Sequence, residues 1–462
     1  MGIESNLTSQ TTRLDFTFQY PPFNVLNRRE VAWTEQEESE QSSRPMHVYV
    51  HIPYCRSKCQ FCFYKVWGVG TGEKAAEHTS PYLDVLFQEI DLYSQSAKVR
   101  RRAVRSVYIG GGTPSLLSPE QIESLVAKLR RSFNILPDCE FSLEAYPDEE
   151  VLTFEKLDCL KRVGINRLSI GVQSLNDRIQ ELNGRPARAE QFFRLYSYAR
   201  SLGFRSINLD FMSGMVGETL QTWQSQIDAL LKLAPENISL YKLEFYLNSR
   251  LTSAIRHGHR KSALVMSDSE EAELAVYAFD RLQNEGGYIA SNSTSLARSR
   301  ELEQVHTKSV WRGEDLLAVG LSAYGIFDGY MYQNTANLEQ YLGLVTKGEL
   351  PVLRAHRITE REKIARTMVN GVKVLRLSRK EFLDRHGVDL EAMYGASIRE
   401  LVEEGLLEID RDELRVPRAK YVFADDICRH FFLPEHRTMM TSQVLRSSIV
   451  HDAVEHAASS SP

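Results

Sequence analysis

Three cysteines lie close together in the chain, at positions 55, 59 and 62. Cys55, Cys59 and Cys62 form a C-x-x-x-C-x-x-C pattern directly after an apolar, β-rich run at residues 46–52. Iron–sulfur clusters are normally held by four thiolates, so a set of three leaves one iron of a four-iron cluster open to another ligand. The spacing therefore predicts a [4Fe-4S] cluster on a loop, with S-adenosylmethionine as the candidate ligand of the open iron.

The other cysteines, Cys139, Cys159 and Cys428, are scattered singly and are predicted to be buried small apolar residues. A structural zinc site needs a closed set of four ligands, usually from paired C-x-x-C motifs, and the sequence has no second pair. A disulfide framework is disfavoured because six cysteines are spread over 462 residues, with no apolar secretory segment at the N-terminus. We therefore expect reduced thiols and a cytoplasmic protein.

The composition indicates an ordinary soluble globular protein. Apolar residues make up 42% and charged residues 25% of the 462-residue chain, which is long enough for two domains. No apolar run approaches the ~18 residues that a membrane span requires. The formal net charge of -5 gives no electrostatic footprint for nucleic acid. The composition therefore argues against a protein that binds nucleic acid and against a protein that spans a membrane.

Short apolar runs alternate with longer amphipathic runs from residue 46 onward, a pattern typical of repeated βα units around a parallel sheet. Ser118, Pro119 and Gln121 form a helix start with an N-cap and a capping box. We expect an α/β fold with a partial (β/α)6 barrel of the TIM type. The predicted strands are residues 48–52, 106–109, 140–144, 167–170, 206–211 and 237–243.

Glycine-rich and polar residues follow the predicted strands, at the ends where a parallel barrel gathers its chemistry. A carboxylate such as Glu144 suits a ribose hydroxyl or an ammonium group. Because such groups recur at successive strand ends, they predict one shared pocket. The groups are Gly110-Gly111-Gly112-Thr113-Pro114, Glu144, Ser169 to Ser174, Asn208 to Asp210 and Ser239 to Glu244.

The chain resembles the radical S-adenosylmethionine enzymes, and within them the branch typified by oxygen-independent coproporphyrinogen III oxidase. The resemblance runs from about residue 46 to about residue 433. It rests on Tyr49-Val-His-Ile-Pro before the cysteines, Gly-Gly-Gly-Thr-Pro, Asn166-Arg-Leu-Ser-Ile-Gly-Val-Gln173 and Trp311-Arg-Gly-Glu-Asp-Leu-Leu317. Residues 401–416 fit a helix plus β-wing, which resembles the small helical, winged-helix-like domain that covers the barrel mouth in this branch.

These patterns together predict four parts of the chain. Residues 1–44 would be a flexible polar arm, and residues 45–350 the radical S-adenosylmethionine core with a barrel extension. Residues 351–435 would be a C-terminal lid, and residues 436–462 a flexible tail.

The resemblance implies a set of site residues. Cys55, Cys59 and Cys62 would hold one [4Fe-4S] cluster, and two S-adenosylmethionine molecules would bind nearby. Arg185 would pair with a carboxylate, and Asp210 would accept from an ammonium or a ribose hydroxyl. The first molecule would contact Tyr49, Phe61, Gly111, Glu144, Glu244 and Tyr324, although the family position of Glu244 is usually not acidic. The second would contact Gly112, Thr113, Gln173, Arg185 and Asp210.

Departures from the oxidase pattern predict a different reaction. The oxidase carries a further cysteine two residues beyond the third cluster ligand, where this chain reads Cys62-Phe63-Tyr64. The Tyr/Arg-rich N-terminal arm is absent, and Gly214-Met-Val-Gly217 replaces a usual Gly-Leu-Pro. These differences favour the oxidase-like C-methyltransferases and cyclopropanases. Such enzymes use a 5′-deoxyadenosyl radical and a second S-adenosylmethionine to transfer a methyl or methylene group to an sp² carbon of an unsaturated or aromatic metabolite.

Two alternatives stay open. An oxygen-independent coproporphyrinogen III oxidase would decarboxylate porphyrinogen propionates, and a haem chaperone would bind haem without turnover. The chaperones tend to carry His-Asn where this chain reads His306-Thr. Either enzyme reading implies a small-molecule substrate and an electron donor such as flavodoxin or ferredoxin. A DNA-binding role for the C-terminal domain is disfavoured because residues 408–415 are acidic.

Overall fold

The computed structural model describes residues 17, 19–27, 44–246, 248–257 and 263–440. Its strands, in chain order, are β1 (Met46–Ile52), β2 (Tyr54–Cys55), β3 (Trp67–Gly68), β4 (Ala103–Gly111), β5 (Asn134–Ala145), β6 (Arg167–Gln173), β7 (Ser206–Ser213), β8 (Asn237–Lys242), β9 (Ile289–Asn292), β10 (Ser295–Ala297), β11 (Asp315–Val319), β12 (Tyr324–Phe327), β13 (Tyr330–Asn334), β14 (Val352–Arg357), β15 (Arg376–Ser378), β16 (Glu408–Ile409) and β17 (Glu413–Arg415).

The helices connect these strands along the chain. They are α1 (Glu73–Gln95), α2 (Ala97–Arg100), α3 (Pro119–Ser132), α4 (Phe154–Arg162), α5 (Asp177–Leu182), α6 (Ala189–Ser201), α7 (Leu220–Leu233), α8 (Arg250–Arg256), α9 (Asp268–Asn284), α10 (Val305–Trp311), α11 (Leu338–Val345), α12 (Glu360–Lys373), α13 (Arg379–His386), α14 (Leu390–Glu403), α15 (Ala424–Arg429) and α16 (Pro434–Met440). None of them is long and apolar enough to cross a membrane, within the part of the chain that the structure describes.

The six predicted strands form the parallel centre of one sheet. Strands β1, β4, β5, β6, β7 and β8 are hydrogen-bonded neighbours in that order, and each adjacent pair is parallel. Buried branched side chains such as Val48, Val107 and Leu209 share one face of these strands, as a sheet face covered by helices requires, whereas the other face carries mainly polar side chains such as Ser142 and Asn208. The prediction of an α/β fold built on a partial barrel is confirmed.

The sheet extends beyond these six strands on both sides. Strand β11 pairs in parallel with β1, and β12, β13 and β14 then continue outward with antiparallel pairing. On the far side, β10 pairs antiparallel with β8, and β9 with β10. Among the described residues, this sheet has twelve strands. Strand β1, which precedes the three cysteines, is therefore held between two neighbours.

Local sequence signals explain where the helices begin. The predicted capping box at the start of α3 is present: the backbone N–H of Gln121 donates to Ser118 Oγ at 3.2 Å, and the Gln121 side chain accepts from the Ser118 backbone at 2.9 Å. Helix α10 begins differently, because Glu140 of β5 accepts from the backbone amides of Val305 and His306. A carboxylate at that end also complements the helix dipole.

The C-terminal region has its own small core. Helices α12 to α15 surround a three-stranded sheet in the order β15, β17, β16, and Val369, Phe382 and Leu401 are among the buried residues between them. This helical region with a β-wing matches the predicted architecture. Cys139, Cys159 and Cys428 are buried, as expected for cysteines that act as small apolar residues.

Two expectations about the ends of the chain need correction. Within the predicted flexible arm, Tyr20 is buried and its hydroxyl accepts from the Leu433 backbone at 2.9 Å. His436, assigned to the flexible tail, is also buried, with Nδ1 2.8 Å from the same hydroxyl. These contacts hold residues 19–27 and the start of α16 against the C-terminal region. Most of both predicted segments lies outside the described residues.

Candidate functional site

A pocket of about 520 Å³ opens at the carboxyl ends of the parallel strands. Cys55, Cys59 and Cys62 all line it, as do residues from the ends of β4, β5, β6 and β7. The structure therefore brings together the groups that the sequence predicted to share one pocket. The remaining predicted residues in its lining are Tyr49, Phe61, Gly111, Gly112, Thr113, Glu144, Gln173, Arg185, Asp210 and Glu244.

The cysteine loop is attached to the sheet at its start. The backbone amide of Gly112 donates to Ile52 at 2.8 Å, and that of Thr113 donates to Tyr54 at 2.8 Å. A Cβ on Gly112 would lie 2.5 Å from the Tyr54 carbonyl oxygen and 3.0 Å from Cys55 Sγ. Glycine at this position therefore lets the β4 end approach the cysteine loop directly.

The three thiols fit an iron–sulfur cluster better than a single metal ion. Burial raises the pKa of Cys55 to about 12 and also raises the pKa of Cys62, and the neighbouring cysteines add to both shifts. The three sulfurs therefore act on each other electrostatically, yet no group of three His, Cys, Asp or Glu side chains among the described residues converges on one ion. A cluster places each thiolate on a different iron, so convergence is not required. Protons leave the thiols when metal binds.

Glu144 is held at the end of β5 by two donors. The Tyr108 hydroxyl donates to its Oε1 at 2.8 Å, and the Gly111 backbone donates to its Oε2 at 3.0 Å. Burial raises the pKa of Glu144 to about 7, and the nearby Asp210 carboxylate also raises it. A buried carboxylate in this state gains from an ammonium or hydroxyl donor entering the pocket.

Arg185 lies beside the cysteine loop and is 6% exposed. Its Nη1 is 3.5 Å from Cys59 Sγ, Nη2 donates to the Gly171 carbonyl, and the guanidinium lies 4.5 Å from the centre of the Tyr146 ring. Gln173 has a left-handed backbone, with φ of 65°, and its buried Oε1 accepts no hydrogen bond. Unsatisfied acceptors and strained residues cluster at ligand sites.

Asp210 and Glu244 add two more carboxylates to the pocket. Asn208 Nδ2 donates to Asp210 Oδ1 at 2.8 Å, and Ser169 Oγ to its Oδ2 at 3.3 Å. Burial raises the pKa of Asp210. Glu244 is 7% exposed, and the neighbouring Phe61 packs on the small apolar cluster of Val216, Leu243, Phe245, Leu251 and Ile255. The pocket thus combines soft thiols with a ring of hydrogen-bonding groups.

Comparison with known proteins identifies the family. The model of the Radical SAM superfamily matches residues 49–230, and the model of the HemN C-terminal domain matches residues 358–420. The anaerobilin synthase of Escherichia coli O157:H7 is 31% identical over 352 residues, which cover 75% of each chain. The chain belongs to the radical SAM superfamily. Membership brings one [4Fe-4S] cluster and S-adenosylmethionine as cofactors, and the three thiols and the adjoining pocket fit both.

Other relatives place this radical SAM protein in the HemN-like branch. The haem chaperone HemW of Bacillus subtilis is 29% identical over 362 residues, which cover 78% of this chain and 92% of the relative. The oxygen-independent coproporphyrinogen III oxidase of Pseudomonas aeruginosa is 24% identical over 457 residues, 95% of each chain. The structure of coproporphyrinogen III oxidase from Escherichia coli has the same fold, with a TM-score of 0.75 over 91% of this chain and 99% of that chain, at 24% identity.

The comparisons overturn the predicted reaction. These relatives are named as a haem chaperone, an anaerobilin synthase and coproporphyrinogen oxidases, and none of them as a methyltransferase or cyclopropanase. The prediction gave weight to Phe63 and Tyr64 replacing a cysteine. In the structure the Phe63 ring stacks on Tyr64 and Tyr246, with centroids 4.2 Å and 4.0 Å away. All three rings line the pocket.

Tyr324 is the one predicted site residue that the structure places elsewhere. It lies on β12, where its ring packs at 5.0 Å from Phe23, close to the apolar cluster of Val25, Ile326 and Met331. The antiparallel pairing of Tyr324 with Gln333 positions it in the sheet extension, outside the pocket that holds the cysteines. This placement does not support the predicted contact with S-adenosylmethionine, which stays a prediction.

Several pocket residues were missed in the sequence. Tyr108 and Tyr146 flank predicted residues on β4 and β5 and were detectable as strand-end positions. Asn292, Thr294, Trp311 and Asp425 come from the β9–β10 turn, α10 and the C-terminal region. Of these four, only Trp311 belonged to a noted motif. The others reach the pocket through tertiary packing, which local patterns do not report.

Proposed function

We propose that this radical SAM protein is an oxidase of the coproporphyrinogen III type, which converts propionate side chains of a porphyrinogen into vinyl groups. The observation that carries the proposal is the extent of the pocket. It continues from the thiols and strand ends to Asn292, Trp311 and Asp425, beyond the residues proposed to hold the cofactors. The similarity to the Pseudomonas aeruginosa oxidase along 95% of both chains supports this choice.

The proposed reaction balances for each propionate. When bound, the cofactors supply a 5′-deoxyadenosyl radical, formed with methionine after one electron arrives from a donor such as flavodoxin or ferredoxin. The propionate carbon next to the ring would lose a hydrogen atom to this radical, with 5′-deoxyadenosine as the by-product. The resulting substrate radical breaks its carbon–carboxylate bond, releases CO₂ and passes one electron to a protein redox acceptor, which leaves a vinyl group.

The chain's own residues would bind and orient the reactants. Tyr49, Phe61, Gly111, Glu144 and Glu244 surround the side of the pocket proposed for the first S-adenosylmethionine. Gly112, Thr113, Gln173, Arg185 and Asp210 surround the side proposed for a second. Correct orientation matters most, because a primary carbon radical takes hydrogen from whichever neighbour is in reach.

The experiment is an anaerobic assay of the reconstituted protein with S-adenosylmethionine, a reductant and coproporphyrinogen III. We expect CO₂ and vinyl product in equal amounts, with about one 5′-deoxyadenosine per propionate converted, and no product from the Cys59→Ser variant. Formation of 5′-deoxyadenosine that does not respond to the porphyrinogen would contradict the proposal.

A haem chaperone is the second candidate, favoured by the match to 92% of Bacillus subtilis HemW. A chaperone would bind haem in a defined ratio without consuming it. Titration of the protein with haem, followed by absorbance, separates the two: saturable haem binding together with no CO₂ from porphyrinogen would favour the chaperone.

A further inference from the structure

A small cavity of about 40 Å³ adjoins the main pocket. It lies between the starts of β6, β7 and β8, helix α10 and the beginning of β15, and it holds more than the space one water needs. Five residues line both spaces, so the cavity is a side chamber of the proposed active site. They are Asn292, Ser295, Gln304, Thr307 and Trp311.

Arg167 is the residue that makes this cavity unusual. It is 3% exposed, yet its Nε and Nη1 atoms have no hydrogen-bond partner. Its charge lowers the pKa of Glu144 and of Asp210 against the stronger effect of burial, but it forms an ion pair with neither within the part of the chain that the structure describes. A buried guanidinium is costly unless an anion compensates it.

The other charges around the cavity are mainly positive. Arg300 and Lys308 both pair with Glu303, so one carboxylate serves two cations. Arg312 and Arg376 also line the cavity and are exposed. An anion in the chamber would therefore meet Arg167 directly and a positive field from its surroundings.

We propose that the Arg167 chamber binds a carboxylate group of a reactant, and that this group is a propionate of the substrate. This inference rests on the proposed function for the identity of the substrate. A porphyrinogen with several propionates would hold one in the chamber while another lies beside the radical in the main pocket. The planar, five-donor guanidinium suits bidentate carboxylate binding, and Ser295, Gln304 and Thr307 offer further hydrogen bonds.

S-adenosylmethionine also carries a carboxylate, so the test separates the two sources. Coproporphyrin III, a stable analogue with free propionates, and its tetramethyl ester are titrated into the full chain, and S-adenosylmethionine binding is measured separately. The variant Arg167→Gln is compared with Arg102→Gln. Arg102 is equally buried, at 3% exposed, but is partnered by Asp315 and by the Arg44 and Pro45 carbonyls.

We expect Arg167→Gln to weaken coproporphyrin binding about 10- to 100-fold, as loss of a charge-assisted pair implies, without changing the affinity for the ester. Arg102→Gln should leave both affinities within about twofold. The thermal midpoint should fall further in Arg102→Gln, which breaks a buried hydrogen-bonded ion pair, than in Arg167→Gln, which breaks none among the described residues. Equal affinity of wild type and Arg167→Gln for coproporphyrin would overturn the propionate assignment.

Two further outcomes separate an error in the substrate assignment from an error in the proposed function. If Arg167→Gln loses affinity for S-adenosylmethionine and keeps it for coproporphyrin, the chamber binds a carboxylate of the cofactor and the substrate assignment falls. If wild type binds neither porphyrin, the proposed function fails, and glutarate tests the chamber alone by thermal shift. Stabilisation by glutarate that Arg167→Gln abolishes supports the chamber, and absence of stabilisation overturns it.

Discussion

Two walls of the main pocket are built in different ways. The strand-end wall consists of Tyr49, Gly111, Glu144, Gln173 and Asp210, each at or near the carboxyl end of a parallel strand. The far wall consists of the β9–β10 turn at residues 292–294, Trp311 and Asp425. The first wall is fixed by the ladder hydrogen bonds of neighbouring strands, and the second by contacts between distant segments.

A buried ion pair organises the far wall. Lys373 and Asp425 are 2.8 Å apart, and Asp425 also accepts from Ser293 Oγ and the Thr17 backbone, each at 2.9 Å. The Lys373 ammonium lies 4.7 Å from the centre of the Trp311 ring. Burial alone would raise the pKa of Asp425, but Lys373 and these hydrogen bonds lower it. The contrast teaches that the side proposed for the cofactors rests on hydrogen-bonded strands, whereas the side proposed for the substrate depends on how three parts of the chain pack.

The largest effect should come from the cofactor side. Cys59→Ser removes one of three ligands, so we expect loss of the cluster and of all S-adenosylmethionine cleavage, measured by iron content and 5′-deoxyadenosine. Cys159→Ser is the control, because this cysteine is buried beside α3 and outside the pocket. Cleavage that survives in Cys59→Ser would remove the cysteine loop from the chemistry.

The far wall should respond mainly in stability. Asp425→Asn leaves Lys373 buried without its counter-ion, which costs about 3–5 kcal/mol in urea unfolding at neutral pH. Since the pKa of Asp425 is lowered in the folded protein, its contribution is complete above the unfolded pKa of about 3.9 and disappears as the pH falls through the folded value. Asp91→Asn, in an exposed pair with Lys128, should cost under about 1 kcal/mol. Equal costs for both variants would erase the distinction between the walls.

Glu144 tests the electrostatics of the strand-end wall. Because its pKa is raised to about 7, S-adenosylmethionine should bind less tightly as the pH falls through that value and the carboxylate is protonated. Glu144→Gln should weaken binding about tenfold and make it independent of pH near 7. The free energy of unfolding changes with pH in the opposite sense. Burial of the ionised Glu144 carboxylate destabilises the folded protein fully above pH 7, and this cost disappears as the pH falls to the pKa of the unfolded state. Exposed Glu120→Gln serves as control, and a wild-type affinity flat in pH would reject this role.

The smallest effect concerns the N-terminal segment that packs behind the far wall. Tyr20→Phe removes the acceptor for the Leu433 amide and the partner of His436, so we expect about 1–2 kcal/mol of lost stability. The rate of S-adenosylmethionine cleavage should stay within about twofold. Tyr198→Phe, whose hydroxyl bonds an exposed Asp158, should change neither quantity measurably. A large loss of cleavage in Tyr20→Phe would show that the cofactor side also depends on this packing.

Local sequence patterns predicted where the central strands lie, but they predicted the ends of the strands less well. All six central strands were found because each is an apolar run between turn residues. Strand β5 begins at Asn134 and not at residue 140, because after a shift in register the β4–β5 pairing continues to Ala103 and Asn134. The β9–β10 hairpin was not predicted from the sequence. Its β10 strand pairs with β8, which is far away in the chain, and a local pattern does not show this pairing.

The same division applies to the pocket. Residues at strand ends were predictable because neighbouring parallel strands bring their carboxyl ends to one edge. Asp425 could not be predicted, because its role depends on Lys373, Ser293 and Thr17, which are far away in sequence. The local sequence around Arg167 also could not predict that two nitrogen atoms of its side chain are buried without a hydrogen-bond partner. Burial and partner choice are tertiary properties.

The attachment of the cysteine loop has a consequence for maturation. Backbone bonds from Gly112 and Thr113 extend the β1–β4 pairing to Tyr54, and Val69 donates to Cys55 at 2.9 Å. Farther along, Gln60 bonds the Asn183 carbonyl, and Leu251 bonds Gln60. These backbone bonds therefore share with the cluster the task of offsetting the entropy lost when the loop is ordered. A substitution that breaks one of these bonds would consequently lower cluster retention without touching a cysteine.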